Sequence, residues 1–220
     1  MSTDSKYLSL SFFSREKEPS LELISYDKDG GSGLSPFQIV NCDPFVPHLV
    51  KSAKIVSDSV ILPIREALGS DACIHSAPIF DTDFWFTDND SCQGLICHFV
   101  KDLKNTENFW IECLGFSQKS SSNNWSYLVL DSPIAQWKAN LLLIKDPQRV
   151  EKTDCCLDMS GYRCISFITS DLEVERKKFI HAGYDQTTGL MRERINNKDL
   201  ALEIFSGPNG AMIELFQFDQ

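Results

Sequence analysis

Two stretches of the chain decide its fold. The first is Leu95-Ile96-Cys97-His98-Phe99-Val100-Lys101-Asp102-Leu103, with Gly115-Phe116 beyond it. The second is Cys164-Ile165-Ser166-Phe167-Ile168-Thr169-Ser170-Asp171-Leu172, with Gly183-Tyr184 beyond it. Each is an apolar run, then Asp-Leu, then a helical segment closed by glycine and an aromatic residue. Self-similarity of this kind is the mark of a repeated structural unit. The apolar runs read as strands buried on both faces. Ser170-Asp171-Leu172-Glu173 has the spacing of a capping box, in which Ser170 and Glu173 satisfy each other's free backbone donors. Leu172, Phe179 and Ile180 then fall on one helix face, and Gly183 supplies the left-handed exit. In the first copy Phe109, Trp110, Cys113 and Leu114 make the stripe and Gly115 is the stop.

Working outward, two strands follow the first helix, at 125–130 and 139–144. Three follow the second, at 190–195, 200–205 and 211–218, with Gly207-Pro208-Asn209-Gly210 as the last turn. A further partial copy opens the chain. Leu8-Ser9-Leu10 through Glu22-Leu23 aligns without a gap on Leu200-Ala201-Leu202 through Glu214-Leu215. Residues 7–13 and 20–26 are therefore expected to form a hairpin like the closing one. Two strands alone are only marginally stable, so this hairpin should borrow a partner from the chain or from a second subunit, which makes a homodimer possible. Between them, Gly30-Gly31-Ser32-Gly33 reads as a loop, and a helix is expected from about 46 to 68, interrupted by Pro63. The expected organisation is an N-terminal hairpin at 1–27, a helical linker at 28–92 and a paired domain at 93–220.

Composition excludes several functions. The chain has 220 residues and a net charge of −10, from 31 acidic and 21 basic side chains. That balance argues against nucleic acid, whose phosphates need clustered Lys and Arg. No apolar run approaches a membrane span, and Met1 to Lys6 lacks a signal-peptide pattern, so a cytoplasmic protein is expected. The 8 cysteines include no CxxC pair, which speaks against structural zinc. His48 and His75 read as ordinary surface or core residues, and His181 as a favourable charge at a helix C-terminus.

Strand, Asp-Leu helix, Gly-aromatic exit and a strand bearing Glu214 together resemble the vicinal oxygen chelate superfamily, which includes glyoxalase I, bleomycin-resistance proteins and ring-cleaving dioxygenases. Residues 207–216 are similar to the superfamily's closing hairpin, and 125–130 to a strand of its dioxygenase branch. The resemblance implies an α+β fold of tandem βαβββ modules forming a curved mixed sheet around a cup, here with an extra N-terminal half-module hairpin. It also implies a divalent ion in the cup, held by His and carboxylate ligands from first strands and last-strand glutamates, which chelates two neighbouring substrate oxygens.

Register limits that implication. The family's first-strand ligand lies about seven residues before the Asp that opens the helix, which lands on Leu95 and Cys164. His98 is offset by an odd number and faces the other way. The last strand of the first copy offers only Asn140, Leu141, Leu142 and Leu143, so Glu214 alone sits where a ligand is kept. The reading is thus a small-molecule binder with a degenerate metal site, no metal and no cofactor. Its expected ligand-binding residues are Glu214, Cys164, Phe216, Met212 and Leu95. Against this stand plainer roles: Glu214 in a buried salt bridge, Cys164 as a small buried hydrophobe, His98 as a structural residue. Two alternatives remain open. One is a metal-dependent glyoxalase, lyase or ring-cleaving dioxygenase in which a strand bulge turns His98 into the cup. The other is a structural or assembly protein that has lost the site.

Overall fold

The computed structural model of the chain describes residues 7–13, 21–26, 36–42, 54–71, 73–79, 82–87, 89–92, 94–131, 138–149, 164–195 and 198–218. Both repeated units form as expected, and with one shared topology. In the first, strand β7 (Leu95–Val100) leads to helix α2 (Leu103–Leu114) and then to β8 (Ser117–Ser121), β9 (Trp125–Asp131) and β10 (Lys138–Lys145). In the second, β11 (Cys164–Ile168) leads to α3 (Leu172–His181), then β12 (Met191–Ile195), β13 (Lys198–Ser206) and β14 (Met212–Phe218). The strands lie in the orders β7-β10-β9-β8 and β11-β14-β13-β12. In each unit the first strand runs parallel to the last, and the remaining pairs are antiparallel.

Several local expectations need correction. Ser117-Gln118-Lys119-Ser120-Ser121 forms a strand that was not expected, because an exposed edge strand of this composition carries no apolar alternation. The cap of α3 is Asp171, whose carboxylate accepts from the Val174 N–H at 3.0 Å, and not Ser170. Asp102 caps α2 in the same way, accepting from Asn105. Ile180 is exposed, while Leu172 and Phe179 are buried. Gly115 and Gly183 do take the left-handed conformation at the helix exits.

The stretch expected as a linker holds more than a helix. Helix α1 spans Asp58–Leu68 and includes Pro63; of the longer span expected for it, residues 46–53 lie outside the described residues. Around it lie β3 (Phe37–Cys42), β4 (Lys54–Ile55), β5 (His75–Ile79) and β6 (Thr82–Thr87). Their order, β3-β6-β5-β4, repeats that of the other two units, although α1 follows the second strand instead of the first. Strand β3 pairs antiparallel with β7, Ile39 beside Ile96, so two units share one eight-stranded sheet. The unit at 164–218 forms a separate four-stranded sheet. Short strands holding Pro78 and few alternating apolar positions gave the sequence little to show here. The N-terminal hairpin is present as β1 (Tyr7–Phe13) and β2 (Leu21–Tyr26), antiparallel. Among the described residues it pairs with no third strand.

Two apolar clusters follow from strand alternation. One lies on the α2 side. Ile96, Val100, Leu141 and Leu143 pack there against Phe109, Trp110 and Cys113. It continues into the four-stranded sheet through Phe179, Phe205, Ile213 and Leu215. Phe109 meets Phe179 edge to face, with centroids 5.7 Å apart. Asn209, at a positive φ of 56°, fastens the two units: its amide donates to Thr106 at 2.7 Å, and its oxygen accepts from the Lys101 N–H at 2.9 Å. The second cluster lies on the opposite face of the eight-stranded sheet, under α1.

Candidate functional site

Two sheet faces stand where the resemblance puts a cup. On the eight-stranded sheet it is the face of Leu95, Cys97, Leu142 and Ile144, and helix α1 fills it. Ile61 and Ile64 are buried there with Val40, Trp85, Trp125 and Leu95. The Trp125 indole N–H donates to the Glu66 carboxylate at 2.7 Å, fixing the helix to β9. Tyr127 donates to Asn140 at 2.9 Å beside it. Leu95 is thus a core residue of this sheet and does not come together with the other expected site residues.

The four-stranded sheet presents the corresponding face differently. Cys164 lies beside Met212, Ser166 beside Glu214 and Ile168 beside Phe216. Their neighbours Ile165, Phe167, Ile213 and Leu215 turn to the other side and belong to the core. Met212 is fully buried, Glu214, Phe216 and Cys164 are half-buried, and Ile168 is 69% exposed. The face is therefore covered towards β13, where Leu200 and Ile204 are buried, and open towards β11. The structure brings Glu214, Cys164, Phe216 and Met212 onto one surface.

Glu214 accepts a short hydrogen bond from the Ser166 hydroxyl. Burial pushes its carboxyl above the usual range, and the Ser166 bond opposes that only in part. Among the described residues no cation pairs with it. Glu203 on β13 shows what a carboxylate serving the fold looks like here. It is buried on the core side, meets the Arg176 guanidinium at 3.0 Å and accepts from Thr187 at 2.6 Å. Sequence reasoning missed Ser166 and Ile168. Parallel pairing of β11 with β14 was the available signal, since it puts Ser166, two residues after Cys164, directly beside Glu214.

A divalent ion does not fit the side chains in these positions. The first strands offer Leu95 and Cys164, and the last strands Leu142 and Glu214 at matching register. Three or four donors are needed, and the described residues contain no cluster of three His, Cys, Asp or Glu able to hold a metal. His98 does not supply one. Strand β7 pairs regularly with β10 and β3, without a bulge, so His98 keeps the α2 side. There it is fully buried, packed on Phe37 at 4.7 Å, and its Nδ1 accepts from the Trp110 indole N–H at 3.3 Å. Burial, aided by the Arg149 charge, pushes its pKa down to about 3, so it is a neutral structural residue. His75 stacks on Phe86, and His181 bonds the Lys177 carbonyl at the end of α3; His48 lies outside the described residues. An open depression beside the start of α2, lined by Lys101, Lys104, Gln118, Asn123 and Lys145, is polar and shares no residue with either sheet face.

No protein-family model matches the chain, and no curated protein matches it. Solved structures do. Glyoxalase I from Zea mays is similar over 94% of this chain and 78% of its own, at 18% identity and a TM-score of 0.59. A mutant of glyoxalase I from Zea mays gives 91%, 75%, 18% and 0.58. A glyoxalase/bleomycin resistance protein/dioxygenase from Alicyclobacillus acidocaldarius aligns with 57% of this chain and 90% of its own, at 12% identity and a TM-score of 0.43. The chain therefore has the fold of glyoxalase I, the α+β fold of βαβββ units that its resemblance to the vicinal oxygen chelate superfamily implies.

Proposed function

We propose that the chain binds a small, largely apolar organic molecule carrying a hydrogen-bond donor, on the open face of the four-stranded sheet, without a metal or cofactor. The observation that carries this reading is Glu214. A carboxylate among apolar neighbours costs several kcal/mol, roughly, unless it is paired. Among the described residues this one has the Ser166 hydroxyl as its partner and no cation, and burial raises its pKa. Glu203, by contrast, has a guanidinium and a hydroxyl. Holding Glu214 in this state serves a ligand better than it serves the fold. Phe216 and Met212 supply apolar surface, and Ser166 orients the acceptor. Cys164 sits at the edge of the same surface and contributes bulk, not nucleophilicity.

The glyoxalase chemistry named for the Zea mays enzyme is not carried over, because two of the four ligand positions are leucines, Leu95 and Leu142, and Cys164 and Glu214 alone fall short of the three or four donors a metal needs. The cytoplasm is the compartment proposed, on the strength of five free cysteines among the described residues. No helix among those residues is long and apolar enough to cross a membrane. The test is titration with phenol and benzylamine, two small aromatic probes with a donor. Both should bind the wild-type chain, and Glu214→Gln should lose at least tenfold in affinity for benzylamine, whose charge pairs with the carboxylate. Equal affinity in the two proteins would refute the reading.

A further inference from the structure

The chain carries 31 acidic side chains against 21 basic ones, yet lysines gather at one place. Lys101, Lys104 and Lys145 line the open depression beside the start of α2, a space of about 790 Å³. The fold does not call for them. Matching the two units by the Asp that caps each helix and by the register of first and last strands puts Ser170, Glu173 and Gln217 at the same positions of the second unit. Glu107, a buried residue of the same depression, corresponds there to Arg176. One backbone plan thus carries a basic cluster at the start of α2 and none at the start of α3.

The second unit also shows how such a helix start is closed by the chain itself. There the Gln217 side-chain oxygen accepts from the Leu172 N–H at 2.8 Å. In the first unit Lys145 stands in place of Gln217, and an ammonium has no acceptor to offer. Among the described residues nothing accepts from the Leu103 N–H, and no carboxylate pairs with Lys101 or Lys145. The acids nearby are committed. Asp102 accepts from the Asn105 N–H at 3.0 Å, and Glu107 accepts from Lys104 at 2.6 Å and from Gln118 at 2.8 Å. Those bonds position Lys104 and Gln118, while Asn209 fixes the Lys101 backbone at 2.9 Å and the Asn124 carbonyl that of Lys145 at 2.8 Å. The depression therefore offers positioned donors, with positive charge in excess of the carboxylates that line it.

We infer that this depression binds a small sugar phosphate, with the phosphate dianion held by Lys101, Lys145 and the Leu103 N–H. Lysine serves phosphate as a point charge, and the first N–H groups of a helix point at an anion bound there. A depression of this volume is in the range of small-molecule sites, roughly 300–1,000 Å³, so it has room for more than the phosphate. The remainder of the ligand meets Gln118, Ser122 and Asn123, neutral side chains that both donate and accept. Among the described residues that line the depression none is aromatic, so hydroxyls fit there where a stacked base would not. The site shares no residue with the face of Glu214 and stands whether or not that face binds a ligand.

Calorimetric titration of the full chain with glucose 6-phosphate, ribose 5-phosphate, inorganic phosphate and glucose tests the inference, with backbone amide shifts followed by NMR. At least one sugar phosphate should bind the wild type tenfold or more tightly than inorganic phosphate or glucose does. The Leu103 amide should shift on binding, and affinity should fall as salt rises. The double variant Lys101→Ser, Lys145→Ser, changed at two exposed positions, should lose at least tenfold in affinity and keep the wild-type circular dichroism. Lys138→Ser, whose lysine pairs with Asp131 outside the depression, should bind as the wild type does. A wild type that binds neither sugar phosphate overturns the inference, and so does equal affinity in the double variant. Inorganic phosphate bound as tightly as the sugar phosphates also overturns it, since the neutral wall would then recognise nothing.

Discussion

In the eight-stranded sheet the face of Leu95, Cys97 and Leu142 is roofed by helix α1, whereas the face of Cys164, Ser166 and Glu214, at the same register of the four-stranded sheet, lies partly open. Strand order and strand polarity are the same in the two units, so topology does not distinguish them. Side chains do. Where the face is filled, the inward positions are mostly apolar, and among the described residues polar ties join Trp125 to Glu66 and Tyr127 to Asn140. Where the face is open, a carboxylate and a hydroxyl occupy the positions that are leucine and cysteine in the other sheet. The difference teaches that side chains, and not topology, decide whether such a face is filled by a helix of the chain or lies partly open.

The largest expected effect belongs to the filled face. Ile64 is fully buried between α1 and the sheet, so Ile64→Ala should cost about 2–5 kcal/mol in denaturant unfolding. Ile168→Ala on the open face should fall within about 0.5 kcal/mol. Comparable losses at both positions would erase the contrast.

Next comes the pH dependence of the eight-stranded sheet. His98 ordinarily titrates near 6.5 and is held down to about 3 in the fold. Below its ordinary value the unfolded chain takes up a proton that the native chain refuses. The stability His98 contributes is therefore complete above about pH 6.5, and it declines by up to about 1.4 kcal/mol per unit as pH falls towards 3. The decline should be absent from His98→Phe, measured by urea unfolding at pH 7, 6 and 5.

Smaller still is the tie between α1 and the sheet. Trp125→Phe removes the bond to Glu66, an exposed carboxylate that water can resolvate, so the loss should be about 1 kcal/mol. Amide exchange in α1 should quicken by a corresponding factor while α2 stays unchanged.

The repeated units were legible in the sequence because they rest on local signals: Asp102 and Asp171 as caps, Gly115 and Gly183 as exits, and apolar runs between. What escaped had no such signal. Strand β8 is a row of exposed polar residues, and β3 to β6 are short strands whose order depends on distant pairing. The open side of β11 was hidden for a related reason. Cys164-Ile165-Ser166-Phe167-Ile168 has the apolar character of a strand buried on both faces, yet Ser166 and Ile168 are exposed in the fold. Four of the five expected site residues share a surface because alternation along β14 and β11 fixes them. Leu95 does not join them, since which units share a sheet is a tertiary property that spacing does not encode.

Glu214 tests the account most directly. Its raised pKa means that the folded chain holds the proton more tightly than the unfolded chain does, so its ionised form weighs against the fold as pH rises above the ordinary range for glutamate. Thermal unfolding and benzylamine affinity of Glu214→Gln should be measured beside the wild type at pH 7.5 and again at pH 4. At pH 7.5 the variant should be as stable as the wild type or more so, by up to about 1 kcal/mol, with the difference shrinking at pH 4 and affinity at pH 7.5 down at least tenfold. A variant that is strongly destabilised at pH 7.5 and binds benzylamine as the wild type does would contradict the account, because Glu214 would then belong to the fold and not to the site.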